Sequence, residues 1–309
     1  MRTSIIFDGT SLVHKTHFPG SQQIRGVAIS PNGRYVAMGG GRVTVLDLDS
    51  TSPLDPIFVD PIEGEHRALD ISTNGRYLAY GGQVRPPGVS PITIIGIYDL
   101  LKRHLLQFDY IPCSNPCDNG ELRTLSISGD GSRIIAGDWA ERLHYFVRNH
   151  ATGRWDRVQT LPAGSRVYAT AMNAAGTLAV VGTQGNGVRL YGLSRTGLTL
   201  RWERPDPLGP PPAPEAAMDG GQRQVSITPD GSYVSAGTRG GGGGGGQIMV
   251  YDRHGNFVDA KRSVAVPVGD VFLGPNGAFP EVWFTRFSEA GRHGVFASWS
   301  GEVYFLKAQ

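Results

Sequence analysis

The sequence predicts an all-β protein, a six-bladed β-propeller of four-stranded antiparallel blades that forms a single domain over residues 1–309. Two observations predict this fold: a strand–turn–strand pattern recurs five times, and no helical hydrophobic period interrupts the copies. In such a fold, short sheets stack around an axis and protect one another's edges. The five copies are RGVAISPNGRYVAMGG (25–40), RALDISTNGRYLAYGG (67–82), RTLSISGDGSRIIAGD (123–138), YATAMNAAGTLAVVGT (168–183) and RQVSITPDGSYVSAGT (223–238).

Each copy reads as two strands joined by a glycine turn. A second glycine follows six positions after every turn glycine. Because Asn-Gly and Asp-Gly readily supply positive φ angles, two-residue hairpins are expected at these turns. The turn glycines are Gly33, Gly75, Gly131, Gly176 and Gly231.

Further strands are predicted after each pair. Third strands are expected in residues 42–48, 92–100, 142–147, 187–193 and 247–253, and weaker fourth strands in 104–110, 154–161 and 198–204. A degenerate sixth copy, residues 281–306, supplies only three strands. The N-terminal segment 3–7 is expected to add the fourth strand and close the ring, and seven blades would result if residues 264–280 contributed strands.

A run of seven glycines, Gly240–Gly246, lies between the predicted second and third strands of the fifth copy. A phosphate-binding P-loop would need Gly-Lys-Ser/Thr running into a helix, whereas Gln247 begins a predicted strand. The run is therefore predicted to be an inserted loop, and it marks neither a phosphate site nor a domain boundary.

The composition narrows the range of functions. A net charge of +2, with only 18% charged residues, is too balanced for binding nucleic acid by bulk attraction. No apolar run is long enough for a signal peptide or a membrane span, so a soluble, cytoplasmic protein is expected. Cys113 and Cys117 lack the further ligands of a zinc site, which leaves a short-loop disulfide or two ordinary thiols. No motif indicates a cofactor or a metal.

The recurring pattern S-x-x-G-x-x-x-A-x-G resembles the repeats of the broad WD-repeat-like propeller superfamily, which includes the quinoprotein-like propellers. The resemblance covers nearly the whole chain. No Gly-His pair opens the copies, and the Trp-Asp ending of the third strand is replaced by Leu46-Asp47, Tyr98-Asp99 and Tyr251-Asp252. A divergent member is therefore indicated. The resemblance implies a rigid platform that binds other macromolecules, with enzymes a minority.

The longer loops are predicted to gather at one end of the propeller. In an up-and-down blade, the loop between the second and third strands leaves from the same end as the loop to the next blade. Because function often resides in loops on a rigid scaffold, this insertion-rich face is the predicted binding surface. Its segments are residues 83–91, 111–121, 138–141, 205–221, 240–246 and 267–280.

Arginine begins the innermost strand in four of the five clear copies, and the fourth copy has Tyr168 there. These arginines are expected at the mouth of the channel, where guanidinium groups would bind an anionic ligand or an acidic side chain of a partner. Alternatively, they seal the gaps between blades by pairing with loop carboxylates such as Glu65, Glu121 and Asp219. The arginines are Arg25, Arg67, Arg123 and Arg223.

Asp70 stands where the other copies have a small residue. A carboxylate at such a position must be hydrogen-bonded or open to the channel. It is interpreted as satisfied by neighbouring serines or backbone, and a ligand-binding role is the alternative. In the loop 138–141, Asp138, Trp139 and Glu141 are further candidates for binding a partner.

These features favour a non-catalytic binding or scaffold module that engages a protein partner through the insertion-rich face, alone or as a subunit of a larger assembly. The alternative is an enzyme with its site at the channel mouth, a lactonase-like hydrolase acting on a small anionic substrate. Lactonase-like propellers place a metal at the mouth with carboxylates and asparagine. Here the strand starts carry arginine, which suits an anion better than a cation.

Overall fold

The computed structural model is all-β, as predicted. It describes residues 3–7, 12–17, 24–53, 55–85, 91–111, 120–184, 187–204, 222–238, 247–262, 282–287, 293–298 and 303–307. Within these ranges the chain forms twenty-five strands in seven antiparallel sheets. None of the described segments is a helix long and apolar enough to cross a membrane.

The first two strands, β1 (Thr3–Phe7) and β2 (Leu12–His17), pair with each other in a two-stranded sheet. Five four-stranded sheets follow, here numbered blades 1 to 5, and in each the strands pair in chain order. Blade 1 contains β3 (Gly26–Ile29), β4 (Tyr35–Gly39), β5 (Val43–Asp47) and β6 (Phe58–Val59). Blade 2 contains β7 (Gly64–Ile71), β8 (Tyr77–Val84), β9 (Ile92–Asp99) and β10 (His104–Ile111).

The next three blades have the same plan, and together the bounds confirm the predicted third and fourth strands. Blade 3 contains β11 (Leu122–Ile127), β12 (Arg133–Asp138), β13 (Arg142–Arg148) and β14 (Trp155–Pro162). Blade 4 contains β15 (Val167–Met172), β16 (Leu178–Thr183), β17 (Val188–Leu193) and β18 (Leu198–Arg204). Blade 5 contains β19 (Gln222–Ile227), β20 (Tyr233–Thr238), β21 (Gln247–Asp252) and β22 (Phe257–Arg262).

The sixth copy forms three strands, as predicted: β23 (Val282–Phe287), β24 (His293–Ser298) and β25 (Val303–Lys307). In the described part of the chain, β25 pairs with β24 and β1 pairs with β2, so closure of the ring by residues 3–7 is not confirmed. The hairpin between β1 and β2 closes a loop of a few residues, which costs less entropy than joining the two ends of the chain. Residues 264–280 lie outside the described ranges, and a seventh blade stays a prediction.

Consecutive blades pack through their first strands, because β3 contacts β7, β7 contacts β11, β11 contacts β15, β15 contacts β19 and β19 contacts β23. Separate apolar layers fill the seams between blades. In the layer between blades 2 and 3, the buried rings of Tyr77 and Trp155 meet edge to face at 5.3 Å. Among the described residues, the core is thus divided among the seams between blades.

The first strand of blade 1 carries an exposed apolar ladder. Val27 and Ile29 are 62% and 51% exposed, whereas the equivalent residues of blades 3 and 5 are buried. In blade 2 the equivalent residue, Leu69, lies directly over the backbone of Gly26 and Gly39 of blade 1. The ladder of β3 therefore lies on the side of blade 1 that faces away from blade 2.

The glycine turns differ from the predicted two-residue hairpins. In blade 1, Ser30 N donates to Tyr35 O at 2.9 Å, so four residues lie inside the turn. Gly33 has a positive φ of 74°, but Asn32 does not share it; its Oδ1 accepts a hydrogen bond from Ser30 Oγ at 2.7 Å. The side chain of the residue before the glycine thus braces the turn as an acceptor. The same bond recurs at Ser72–Asn74, Ser128–Asp130 and Thr228–Asp230.

Candidate functional site

A β-bulge lies at the start of the first strand in blades 2 to 5. In each of these blades the pairing register shifts across one residue, which has no partner on the second strand. A bulge bends its strand and re-aims the side chain of the extra residue. The four bulge residues are the strand-start residues singled out by the repeat: Arg67, Arg123, Tyr168 and Arg223.

Arginines at these strand starts pair with carboxylates of their own and the next blade. Arg67 Nη2 donates to Glu65 Oε2 at 2.6 Å, and Arg67 Nε lies against Glu121 Oε1. Arg123 Nη1 donates to Glu121 Oε2 at 3.3 Å. Arg25 Nη2 lies 3.9 Å from Glu65 Oε2. These five residues, which we call the arginine network, connect blades 1, 2 and 3 through alternating charges.

The arginine network contains the pairing with Glu65 and Glu121 that the sequence offered as one of two interpretations. Glu121 is its most buried member, with 9% of its side chain exposed. Burial alone would raise the pKa of Glu65, but hydrogen bonding and charge from Arg67 hold that pKa below its ordinary value. Arg67 therefore braces two blades, while binding of a partner by these arginines stays a prediction.

Two guanidinium groups contact Trp139, which lies in the loop between β12 and β13. The Cζ atoms of Arg123 and Arg166 lie 3.8 Å and 5.1 Å from the centroids of its ring system. The ring of Tyr168 approaches it edge-on at 6.4 Å. We call these four residues the Arg–Trp cluster. The half-buried Trp139 is held by backbone as well, because its N–H donates to Glu121 O at 3.1 Å.

Asp138 and Glu141 shape the loop that presents Trp139. Asp138 is fully buried, and its carboxylate accepts hydrogen bonds from Arg142 N at 2.9 Å and Arg142 Nε at 2.8 Å. His144 Nε2, also buried, lies 3.0 Å from Asp138 Oδ2. Glu141 is exposed and has a positive φ of 63°, which is uncommon for a residue other than glycine. Asp138 thus fixes the loop from inside and is not exposed to a partner.

Asp70 joins blade 2 to blade 3. Its Oδ2 accepts hydrogen bonds from Ser126 Oγ at 3.2 Å and from Ile127 N at 3.0 Å, and its Oδ1 accepts one from Ile71 N at 3.0 Å. The interpretation that a neighbouring serine and the backbone satisfy this carboxylate is confirmed. A carboxylate held by three donors is a structural link between the two blades.

Several predicted features lie outside the described residues. They are the side chain of Arg223, Asp219, the loop with Cys113 and Cys117, and the glycine run, which falls between the end of β20 and the start of β21. Within the described ranges, no three His, Cys, Asp or Glu side chains are grouped so that they could hold a metal ion.

Sequence counting missed Arg166, which lies in the loop before β15 and not at a strand start. It also missed the bulges: an extra residue shifts the alternation of apolar and polar positions by one, but the bulge lies so near the strand start that too few residues precede it to show the shift. Besides the strand-start position of Arg123, the sequence signal for the Arg–Trp cluster was the aromatic pair of Trp139 and Tyr168, which lie at the same end of neighbouring repeats.

No protein-family model matches the sequence, and no curated protein matches it. Among solved structures, the chain is similar to the β-propeller domain of Cps50 (Swd1) from Myceliophteria thermophila, with a TM-score of 0.66 and 13% sequence identity. The similarity covers 98% of this chain and 88% of that one. At this identity the likeness shows the fold alone, and it confirms the resemblance to WD-repeat-like propellers inferred from the repeats.

Proposed function

We propose that this chain is a non-catalytic binding module whose insertion-rich face engages a protein partner. The Arg–Trp cluster carries the proposal. Tryptophan, tyrosine and arginine are the residue types most enriched among those that dominate binding energy at protein interfaces. A propeller fold supports the proposal as well, since it offers a rigid platform for such a cluster.

The Arg–Trp cluster is ordered before any partner arrives. Trp139 is held by stacking against Arg123 at 3.8 Å and by the backbone bond to Glu121, so little side-chain entropy remains to be lost on binding. Glu121 also fixes Arg123 at 3.3 Å. The cluster therefore presents a preorganised aromatic side chain, and the charged groups beside it, Arg123 and Glu121, are already fixed.

The charge around this anchor selects the partner's chemistry. The arginine network and the Arg–Trp cluster together contain four positive charges, on Arg25, Arg67, Arg123 and Arg166. They contain two negative charges, on Glu65 and Glu121. The excess of positive charge favours an acidic segment on the partner. We propose that an acidic side chain of the partner meets Arg166 while an apolar group packs on Trp139.

The test is direct binding with a purified partner, identified first by affinity capture and mass spectrometry. Trp139→Ala should weaken the complex by about 30-fold, the loss expected for a hot-spot residue of about 2 kcal/mol. Arg166→Gln should weaken it less and reduce its dependence on salt, because it removes one charge from the interface.

The matched control is Phe257→Ala, which removes an aromatic ring that is 60% exposed on blade 5. It should leave the affinity unchanged. A partner that binds Trp139→Ala and Arg166→Gln as tightly as the native protein would overturn the proposal. Turnover of a small anionic substrate that both variants abolish would replace it with the hydrolase alternative.

A further inference from the structure

The face opposite the insertion-rich face carries a polar pocket that the proposed function does not use. It lies where the turns of blades 3 and 4 meet and has a volume of about 130 Å³. Arg133, Arg148 and His150 line it from blade 3, and Arg195 lines it from blade 4. Asp130 is the single carboxylate among the lining residues.

That carboxylate is already engaged by its own turn. Asp130 Oδ1 accepts hydrogen bonds from Ser128 Oγ at 2.6 Å and from Ser132 N at 2.8 Å. Burial would raise the pKa of Asp130, but these hydrogen bonds and the nearby charge of Arg133 lower it. Within the described part of the chain, no carboxylate oxygen lies within 4 Å of a guanidinium nitrogen of the three pocket arginines. The pocket is therefore lined by three arginine side chains and by one carboxylate that does not pair with them.

Two of the guanidinium groups are held in place without being neutralised. Arg148 Cζ lies 5.1 Å from the ring centroid of Tyr77 and 5.0 Å from that of Trp155. Arg148 Nε is buried and has no hydrogen-bond acceptor among the described residues. Arg133 Nη1 donates to the backbone oxygen of Gly176, across the seam between the blades. Fixed guanidinium groups with unused donors are suited to an oxyanion.

We propose that this pocket binds a phosphate group, either as free inorganic phosphate or as a phosphate monoester. Its volume is large enough for several water molecules, which leaves room for a tetrahedral anion. A dianion with several acceptor oxygens satisfies the three guanidinium groups at once. Arg195, which is exposed, closes the site from blade 4.

The experiment is isothermal titration calorimetry of the full chain with inorganic phosphate, against chloride at equal ionic strength. Arg195→Gln should weaken phosphate binding by roughly tenfold or more, the usual effect of losing a charged donor. Because Arg195 is exposed, Arg195→Gln should keep the unfolding temperature of the native protein. Arg148→Lys provides a second test, since it keeps the positive charge but loses the planar guanidinium group. Arg157→Gln, on the exposed strand β14, is the control and should bind phosphate normally.

A second titration with phosphoserine distinguishes the two sources of the phosphate group. Tighter binding of phosphoserine than of inorganic phosphate assigns the site to a monoester, and the reverse order assigns it to the free ion. Either order supports the pocket when Arg195→Gln weakens both ligands. Heat no greater than that of chloride, or binding that survives both Arg195→Gln and Arg148→Lys, overturns it. Trp139→Ala should leave phosphate binding unchanged, so this proposal and the proposed function can fail separately.

Discussion

One position of the third strand, near the end of the propeller that holds the pocket, has a carboxylate in blade 1 and an apolar side chain in blade 3. In blade 1, Asp47 lies opposite Tyr35 in the β-ladder, and its carboxylate accepts two hydrogen bonds from Arg34, both of 2.9 Å. In blade 3 the same register position holds Val147, opposite Arg133. Arg133 stands where blade 1 has Tyr35, and the residue equivalent to Arg34 is Ser132. Blade 3 therefore has an arginine beside this register position but no carboxylate in it.

Blade 2 follows blade 1, since Asp99 lies opposite Tyr77 and accepts a hydrogen bond from Arg76 Nε at 3.1 Å. The comparison teaches that an arginine at or just before the start of a second strand has two roles, and that the third-strand residue at this register position decides between them. With a carboxylate there, the arginine is neutralised and stabilises its own blade. Without one, as in blade 3, the positive charge is left for a ligand.

The largest expected effect comes from breaking a braced cluster. Glu121→Ala should lower the free energy of unfolding by about 3 kcal/mol, because it leaves the mostly buried Arg67 and Arg123 without their shared carboxylate. The measurement is urea unfolding at neutral pH. Glu63→Ala is the control: its carboxylate is 67% exposed beside Arg42, and its loss should cost less than about 1 kcal/mol. Equal losses of unfolding free energy in the two variants would show that burial does not determine how much these ion pairs stabilise the protein.

A smaller effect is expected from converting blade 3 to the pattern of blade 1. Val147→Asp supplies the missing carboxylate beside the pocket arginines, so phosphate affinity should fall by roughly tenfold. Val147→Asn has nearly the same shape but no charge, and it should retain most of the affinity. Calorimetry on both variants separates charge from shape. If Val147→Asp binds phosphate as tightly as the native protein, the comparison between blades is wrong.

The smallest effect concerns pH. Hydrogen bonding from Arg34 holds the pKa of Asp47 below its ordinary value of 3.8. A carboxyl group whose pKa is lowered by folding contributes its full stability above the unfolded pKa, and that contribution is lost as the pH falls through the folded pKa. The native protein should therefore unfold at a higher temperature than Asp47→Asn at neutral pH. This difference should shrink below about pH 4. A difference that stays constant across that range would contradict the assignment.

The fold could be predicted because its signals are local and repeated. A turn glycine such as Gly33 marks each first hairpin, and the alternation of the flanking strands sets which face is buried. The ring closure could not be predicted in the same way. Pairing of residues 3–7 with the sixth copy depends on contacts between the two ends of the chain, whereas the observed pairing with residues 12–17 is local.

The candidate site was predicted in part. Counting back from the turn glycines placed Arg67 and Arg123 at strand starts, where the structure has them. The loop sequence named Trp139 as a candidate, and the binding role of all three residues stays a prediction. The contact between Arg166 and Trp139 could not be predicted, because Arg166 comes from a loop of the next blade and meets the indole only in the folded protein. Predicting the pocket would have required the pairing register of the strands as well. The difference between Asp47 and Val147 matters only because both occupy the same register position.

The β-bulges in the first strands of blades 2 to 5 and of the sixth copy have a consequence for engineering. Because the bulge residue pairs with nothing in the ladder, the sheet tolerates different side chains there: arginine in blade 2, Tyr168 in blade 4 and Trp283 in the sixth copy. The bulge positions can thus hold different side chains on the same backbone. A library randomised at Tyr168 and Trp283 would vary what the platform recognises, while Arg67 and Arg123 stay unchanged because they pair with carboxylates between the blades.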